Sequence, residues 1–325
     1  MVLVTQSFGN ENEYRRAIFA VWSCWAHYKI EMPVILFTDR DAFFKPFFEG
    51  QKVHFVNLTA EKINEMRGKI DFLHRMKIAI IQEAFELTQS DLIYIDSDTF
   101  FISNPSIQFN QTQGGVCFMH LPEYAFAEMR SMPLPAAKVA HAFLNLIENN
   151  QFTLANGQSV QLDINLYSWN AGVMFLPGFV KTYLPDVFGL TDQFFPQTNH
   201  HASEQFAFSF VLQMNSKVTA CDTVIYHYWY RVKKVVMDNW LNKFITTGWA
   251  VTSQEEKIKF IKKWNSILPH YLENHVLSLR DGAIQAFHEN KFKEGYKLAF
   301  KALLKQPFEK KFILDLLYHT KRFKK

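Results

Sequence analysis

Short unbroken apolar runs alternate with helically spaced ones over the first hundred residues. Val2–Thr5, Pro33–Thr38, Lys52–Leu58 and Leu92–Ile95 read as strands. Between them, Tyr14–Tyr28 carries Ala17, Ile18, Val21, Trp22 and Trp25 at helical spacing, and Asp71–Leu87 carries Phe72, Leu73, Met76, Ile80, Ala84 and Leu87 in the same way. Strands without polar alternation, separated by helices, predict an α/β domain around a buried parallel sheet with right-handed crossovers.

The pattern then loosens. Ile102–Gly115 reads as a loop with a turn at Asn104-Pro105, and Val116–Leu121 as a strand. Pro133–Asn150 reads as an opening turn and a helix over Ala136–Glu148. The polar stretch Asn149–Asp163 holds a tight turn at Asn156-Gly157. Ala171–Leu176 is another buried strand, closed by Pro177-Gly178. A polar loop over Gln193–Ala202 leads to a helix over Ser203–Met214 with Ser203 as its cap. Lys217–Ala220 and Val224–Tyr230 read as extended. From Ser253 the texture is helical, and residues 282–307 resemble one tetratricopeptide-like hairpin, which cannot bury its own apolar face alone. The division expected is a body over 1–250 and a helical region over 251–325.

Composition narrows the classes. With 325 residues and 48% hydrophobic content, a large core is affordable. The net charge of +4 is too mild to mark a nucleic-acid binder, but it is unevenly spread: residues 255–325 carry +8 and the remainder −4. That basic tail, with Lys310-Lys311 and Lys321-Arg322-Phe323-Lys324-Lys325, suits peripheral contact with an anionic membrane. Cys24, Cys117 and Cys221 are odd in number and far apart, so neither a disulfide framework nor a zinc spacing is visible. The N-terminus lacks the basic and long apolar regions of a signal peptide, and no apolar run has the length of a membrane span. The expectation is a cytoplasmic protein, with membrane association on the cytoplasmic face. Oligomeric state is not legible.

The candidate chemistry sits where Leu92–Ile95 ends in Asp96-Ser97-Asp98. Carboxyl ends of strands open onto the ligand crevice of an α/β sheet, and residues two apart on a strand point the same way. Two carboxylates there suit a hard divalent cation that also holds phosphate oxygens. Asp96-Ser97-Asp98-Thr99 also fits the first motif of haloacid-dehalogenase-type phosphatases, with Asp96 as nucleophile. Three strands precede it, however, and no later Gly-Asp-x-x-x-Asp run follows. The bland alternative is a polar turn after a core strand, which would leave a non-catalytic scaffold with a helical interaction tail.

Four further stretches extend the Asp-x-Asp. His74-Arg75-Met76-Lys77 opens the helix before it. Trp169-Asn170-Ala171-Gly172-Val173-Met174-Phe175-Leu176, Ser203-Glu204-Gln205 and His227-Tyr228-Trp229 follow it. The ordered set, over roughly residues 1–245, resembles the GT-A glycosyltransferases, and among them the retaining family 8. The resemblance implies a GT-A, Rossmann-like nucleotide-diphospho-sugar transferase domain. It implies metal ligation by Asp96, Asp98 and His227, with Mn²⁺ or Mg²⁺ as the ion. Thr5, Gln6, Ser7, Asp39, Arg75, Lys77, Ser97, Gly172 and Lys233 would hold the nucleotide sugar. Asn170, Glu204 and Gln205 would face the reacting sugar.

The residue types agree with those roles. Arg75 and Lys77 begin a helix, where the dipole favours anions, so a nearby polyanion would explain them; the alternative is a solvated face with Arg75 paired to an acid. The Asn170 amide can both donate and accept, which suits a sugar hydroxyl or a local turn. Gly172 would let a ligand approach the backbone. Two departures stand out. Glu204 replaces the usual Asp, and His227 lacks the Gly, Lys and Pro-Trp that normally follow it. Lys233 sits near the matching offset for the diphosphate, with Arg231 and Lys234 as rivals. The resemblance implies a UDP-sugar donor, a saccharide or glycolipid acceptor and net retention; for inversion, Glu204 is the candidate base. Donor sugar, acceptor and linkage are not encoded legibly.

Overall fold

The computed structural model describes residues 1–28, 31–109, 115–132 and 137–323. Its strands are β1 Val2–Gln6, β2 Val34–Thr38, β3 Val53–Asn57, β4 Leu92–Ile95, β5 Thr99–Phe101, β6 Val116–Met119, β7 Pro122–Ala125, β8 Phe152–Thr153, β9 Ser159–Val160, β10 Tyr167–Trp169, β11 Val173–Leu176, β12 Lys217–Ala220 and β13 Ile225–His227. The longer helices are α1 Glu11–His27, α2 Ala60–Arg67, α3 Arg75–Thr88, α4 Ala137–Asn149, α5 Leu184–Thr198, α6 Ser203–Asn215, α7 Arg231–Phe244, α8 Gln254–Asn265, α9 Leu268–Asn274, α10 Val276–His288, α11 Phe292–Lys305 and α12 Lys310–Phe323.

Seven strands form the central sheet in the order β12-β6-β11-β4-β1-β2-β3. All its neighbours pair in parallel except β11, which runs antiparallel to both β4 and β6. Strand residues alternate between two buried faces, so neither face can be polar. Val4, Leu92, Tyr94, Met174 and Leu176 pack with residues of α3, α4, α5 and α6. Leu3, Ile93, Ile95, Val173 and Phe175 pack with α1, α7 and α8. The expected α/β architecture, with a parallel-dominated sheet and C-terminal helices, is the one observed.

The body's apolar cluster runs on through Ile261, Leu268 and Leu272. A separate small cluster begins at Val276 and joins Leu279, Ala283, Phe287, Ala299, Ala302 and Phe312. The expected hairpin over 282–307 is the α10–α11 pair, closed where Gly295 leaves room for the Phe287 ring; a Cβ there would lie 2.5 Å from it. Among the described residues, no helix is long and apolar enough to cross a membrane.

Several local expectations are corrected. The polar loop expected from Gln193 is helix as far as Thr198, because Leu184, Val187, Leu190 and Phe194 bury one face of α5. Pro196 falls only in its last turn, and Asn199 ends it at φ 51°. Ser203 is not the cap of α6: it is the first helical residue, and its hydroxyl donates to the His200 carbonyl at 2.7 Å. The stretch from Arg231 is helix α7. The loop after Ile102 contains a short helix at Ser106–Phe109, and residues 110–114 of it lie outside the described residues, as do the turn at Pro133 with Ala136, and Lys324-Lys325. The Asn156-Gly157 turn closes the β8–β9 hairpin, with Gly157 at φ +84°.

Candidate active site

Two antiparallel pairings converge on the end of β4. Because β11 opposes β4 with Val173 against Ile95, the residues before β11 lie beside Asp96, whose N–H donates to the Gly172 carbonyl at 2.8 Å. Because β13 opposes β5 with His227 against Thr99, the His227 ring falls on Asp98. One ligand atom from each of Asp96, Asp98 and His227 lies within 4.8 Å of the others. Residues far apart in the chain thus form one donor set.

Asn170 fixes the histidine. Its Oδ1 accepts the Gly172 N–H at 3.1 Å and its Nδ2 donates to Glu123 at 3.1 Å. The same Oδ1 lies 2.9 Å from His227 Nδ1, so the network places the proton on Nδ1. Nε2 is then aimed at Asp98 Oδ1, 3.3 Å away. A ring lone pair facing a carboxylate is repulsive unless the ring is protonated or a cation lies between them. Histidine metal ligands are commonly oriented by such a partner on the other nitrogen. Asn170 and Gly172 both serve this histidine. Buried Asn170 has its amide engaged in holding His227. Gly172 makes room for the imidazole, since a Cβ there would lie 2.1 Å from Cε1.

Cations balance the acids. The buried Lys77 ammonium lies 3.2 Å from Asp96 Oδ2, 3.5 Å from Glu204 Oε1 and donates to the Ala171 carbonyl. Burial works to lower its pKa, but Asp96 and Glu204 outweigh that and hold it above the ordinary value. Lys234 Nζ lies 2.6 Å from Asp98 Oδ2. Burial would raise the Asp98 carboxyl; His227 and Lys234 overcome it and hold the group well below the usual carboxylate range. Asp96 Oδ1 accepts from Tyr94 Oη at 2.7 Å, and Tyr94 in turn accepts from Gln6 Nε2 at 2.9 Å.

Buried oxygens around this centre lack hydrogen-bond partners among the described residues: Thr5 Oγ1, Gln6 Oε1, Ser7 Oγ and Glu204 Oε2. All lie at the end of β1 or the start of α6. Natural proteins rarely leave such atoms unpaired; ordered water, an ion or a bound polar group is the ordinary partner.

Other expected residues have different partners. Arg75 is bound twice to Asp192 on α5, at 2.7 and 3.1 Å, donates to the Met66 carbonyl, and lies over the Phe188 ring. It joins α3 to α5, the paired alternative read from the sequence. Lys233 pairs with Glu273 at 2.5 Å, so Lys234 is the lysine that reaches the Asp-x-Asp. Asp39 accepts from Gly9 N and Tyr14 Oη, bracing the loop after β1. Ser97 Oγ donates to Glu13 at 2.7 Å.

One residue was missed. Glu123, on β7, binds Asn170 Nδ2, Ser168 Oγ and Gln205 Nε2, the last at 2.8 Å. Gln205 Oε1 also accepts from Ala171 N. Glu123 is an exposed acid on a short edge strand, and nothing in its own stretch of sequence signals that role.

No protein-family model and no curated protein sequence matches the chain. Solved structures do match it. Mouse xyloside xylosyltransferase 1, in its apo form, aligns over 68% of this chain and 84% of its own, at 12% identity and TM-score 0.41. The galactosyltransferase LgtC, in complex with donor and acceptor sugar analogs, aligns over 79% and 98%, at 13% identity and TM-score 0.46. The glycosyltransferase GlyE of Streptococcus pneumoniae TIGR4 aligns over 82% and 63%, at 11% identity and TM-score 0.47. All three are glycosyltransferases, the class that the ordered motifs resemble.

Proposed function

We propose that this protein is a divalent-metal-dependent glycosyltransferase. It moves a sugar from a nucleotide-diphosphate donor, a UDP-sugar, to a saccharide or lipid-linked saccharide, with net retention. The observation that carries this reading is the convergence of Asp96, Asp98 and His227 at the carboxyl end of β4. Two carboxylates and an imidazole held by Asn170 suit Mn²⁺, with Mg²⁺ second. When bound, the ion supplies Lewis-acid neutralisation of the leaving diphosphate.

The chain's own residues supply the rest. Lys77 and Lys234 concentrate positive charge beside the two aspartates, where phosphate oxygens would gather. Thr5, Gln6 and Ser7 offer unpaired oxygens to a nucleoside. Glu204 keeps one oxygen on Lys77 and the other free, so it accepts from a donor-sugar hydroxyl and orients the ring. Gln205 is tied to Glu123 and Ala171 beside it. Engagement of Glu204 with Lys77 favours retention over inversion with Glu204 as base.

Titration calorimetry with Mn²⁺ and UDP, followed by hydrolysis of a panel of UDP- and GDP-sugars, tests the reading. Metal-dependent UDP binding and slow donor hydrolysis are expected. Trapping by beryllium fluoride without UDP binding would instead identify the phosphatase; neither response leaves the scaffold. The phosphatase reading has little support, since β1, β2 and β3 precede the strand that carries Asp96, where that motif follows the first strand of its domain.

A second observation supports peripheral membrane contact. Helices α11 and α12 and their connection expose Phe300, Leu304, Phe308 (89% exposed) and Leu314 beside exposed Lys297, Lys301, Lys305 and Lys310. Apolar side chains among lysines suit an anionic bilayer surface. The unpaired, buried Cys24, Cys117 and Cys221 support a reducing compartment, hence the cytoplasmic face. Flotation with anionic liposomes, with and without residues 308–325, checks this; equal flotation on truncation removes it.

A further inference from the structure

A cavity of ≈ 410 Å³ lies between the first turn of α7 and the helices α9, α10 and α11. Its walls are polar. Ser278, Asp281 and Gln285 come from α10 and Glu294 from α11, while Lys233 and Glu273 close one side as an ion pair. Ser278 Oγ is buried and has no hydrogen-bond partner among the described residues. Asp281 has one oxygen on Gln285 Nε2 at 2.8 Å, and burial raises its carboxyl pKa. Lys233 and Lys291 are taken by Glu273 and Glu289, and Asp281 and Glu294 enter no ion pair among the described residues.

Two aromatic contacts link the rim of the cavity to the candidate active site. Tyr230, 42% exposed, forms its rim and stacks on Trp229 at 5.1 Å. Trp229 packs on His227 at 5.0 Å. The Tyr230 phenol is raised by burial first, then by Glu123 from the site side and by Glu289, Glu273 and Asp281 from the cavity side. Tyr230 thus lines the cavity and reaches His227 through the Trp229 ring.

We infer that this cavity is the acceptor subsite of the transferase proposed above, and that it takes a neutral saccharide. Carboxylates, an amide and a hydroxyl facing an exposed aromatic ring are the groups that recognise a polyol. The oxygens and amide bind its hydroxyls, and the ring covers its C–H face. The volume is in the range of small-molecule sites, about 300–1,000 Å³. The lining carries Glu273, Asp281, Glu289 and Glu294 against Lys233 and Lys291, and this excess of carboxylates repels sialylated or phosphorylated sugars. The C-terminal helical pair then serves to complete the acceptor site as well as to bury its own apolar face. The assignment to an acceptor rests on the transferase reading; the sugar binding itself does not.

The test uses the full chain and saturation-transfer NMR, with lactose, maltose, cellobiose, N,N′-diacetylchitobiose and 3′-sialyllactose as probes. At least one neutral sugar binds and sialyllactose does not. Tyr230→Ala, and separately the isosteric double change Asp281→Asn with Glu294→Gln, each weaken that binding about tenfold, the scale of one hydrogen bond to a charged group or one stacking contact. Thermal melts confirm folding, and the isosteric pair covers any misfolding of Tyr230→Ala. No binding of any neutral sugar at millimolar concentration, or affinities unchanged by both variants, overturns the cavity. Sugar binding in a protein that turns over no nucleotide sugar instead overturns the transferase reading and leaves the cavity a saccharide site.

Discussion

Two charge clusters meet in this protein through one hydrogen bond, and they differ in whether every carboxylate oxygen is paired. In the first, Arg16 on α1 grips Asp238 on α7 with two bonds of 2.6 Å and reaches Glu13 at 2.6 Å. Both Asp238 oxygens are occupied, and the pair fastens two helices packed on the same sheet face. In the second, Asp96, Asp98, Glu204, Lys77 and Lys234 crowd the end of β4, while Glu204 and the neighbouring Thr5, Gln6 and Ser7 keep unpaired buried oxygens. Ser97, bonded to Glu13, joins the two clusters. A buried ion pair with its bonds complete is architecture; a charged cluster with bonds left over is built for something else.

That contrast can be broken by mutation. Asp98→Ala carries the largest expected effect: turnover and Mn²⁺-dependent UDP affinity fall by at least about 10²-fold, because the Lewis-acid contribution is several kcal/mol. The melting temperature falls too, because His227 and Lys234 lose their buried partner. Arg16→Ala should lower stability alone. Leaving Asp238 buried and unpaired costs about 3–5 kcal/mol of stability in denaturant titration. UDP affinity of the folded fraction is unchanged. Equal effects of both changes on UDP affinity would erase the distinction.

Smaller effects sharpen it. Asn170→Ala frees the His227 ring and lowers Mn²⁺ affinity by about 10–100-fold, as loss of an orienting partner does, with stability little altered. His200 lies buried in the body, its pKa lowered to about 4 by burial first and then by His201. It folds neutral, so its contribution is complete above the unfolded value of about 6.5 and is lost as pH falls towards 4, on the order of 1–2 kcal/mol at pH 5. His200→Gln should flatten the melting profile between pH 7 and 4. Lys233→Ala should change stability by under about 1 kcal/mol, since Glu273 is half exposed, and leave UDP affinity intact. Lys234→Ala should weaken UDP. A reversed order returns Lys233 to the diphosphate.

The choice between those lysines shows where sequence reasoning stopped. Adjacent residues on a helix point about 100° apart, so α7 sends Lys233 towards Glu273 and Lys234 towards Asp98. From the sequence, the extended stretch ends at Tyr230 and these lysines belong to no element, hence have no such direction. Arg75 was legible as a charge at a helix start, but Asp192 lies 117 positions away on a helix that Pro185, Gly189 and Pro196 hid from the pattern. Glu123 left no local trace, because its three partners arrive from β10, the turn after it, and α6.

The sequence by itself determined the seven strands of the central sheet, the α/β layering and the position of Asp96 and Asp98, since short unbroken apolar runs between helices suit buried strands and the carboxylates end one of them. It also named His227, through the order of motifs. Tertiary structure decided what those residues do for one another. Only the antiparallel seating of β11 against β4, and of β13 against β5, puts Asn170, Gly172 and His227 beside the aspartates. Strand direction is set by how the whole chain packs, a long-range property that local periodicity does not carry.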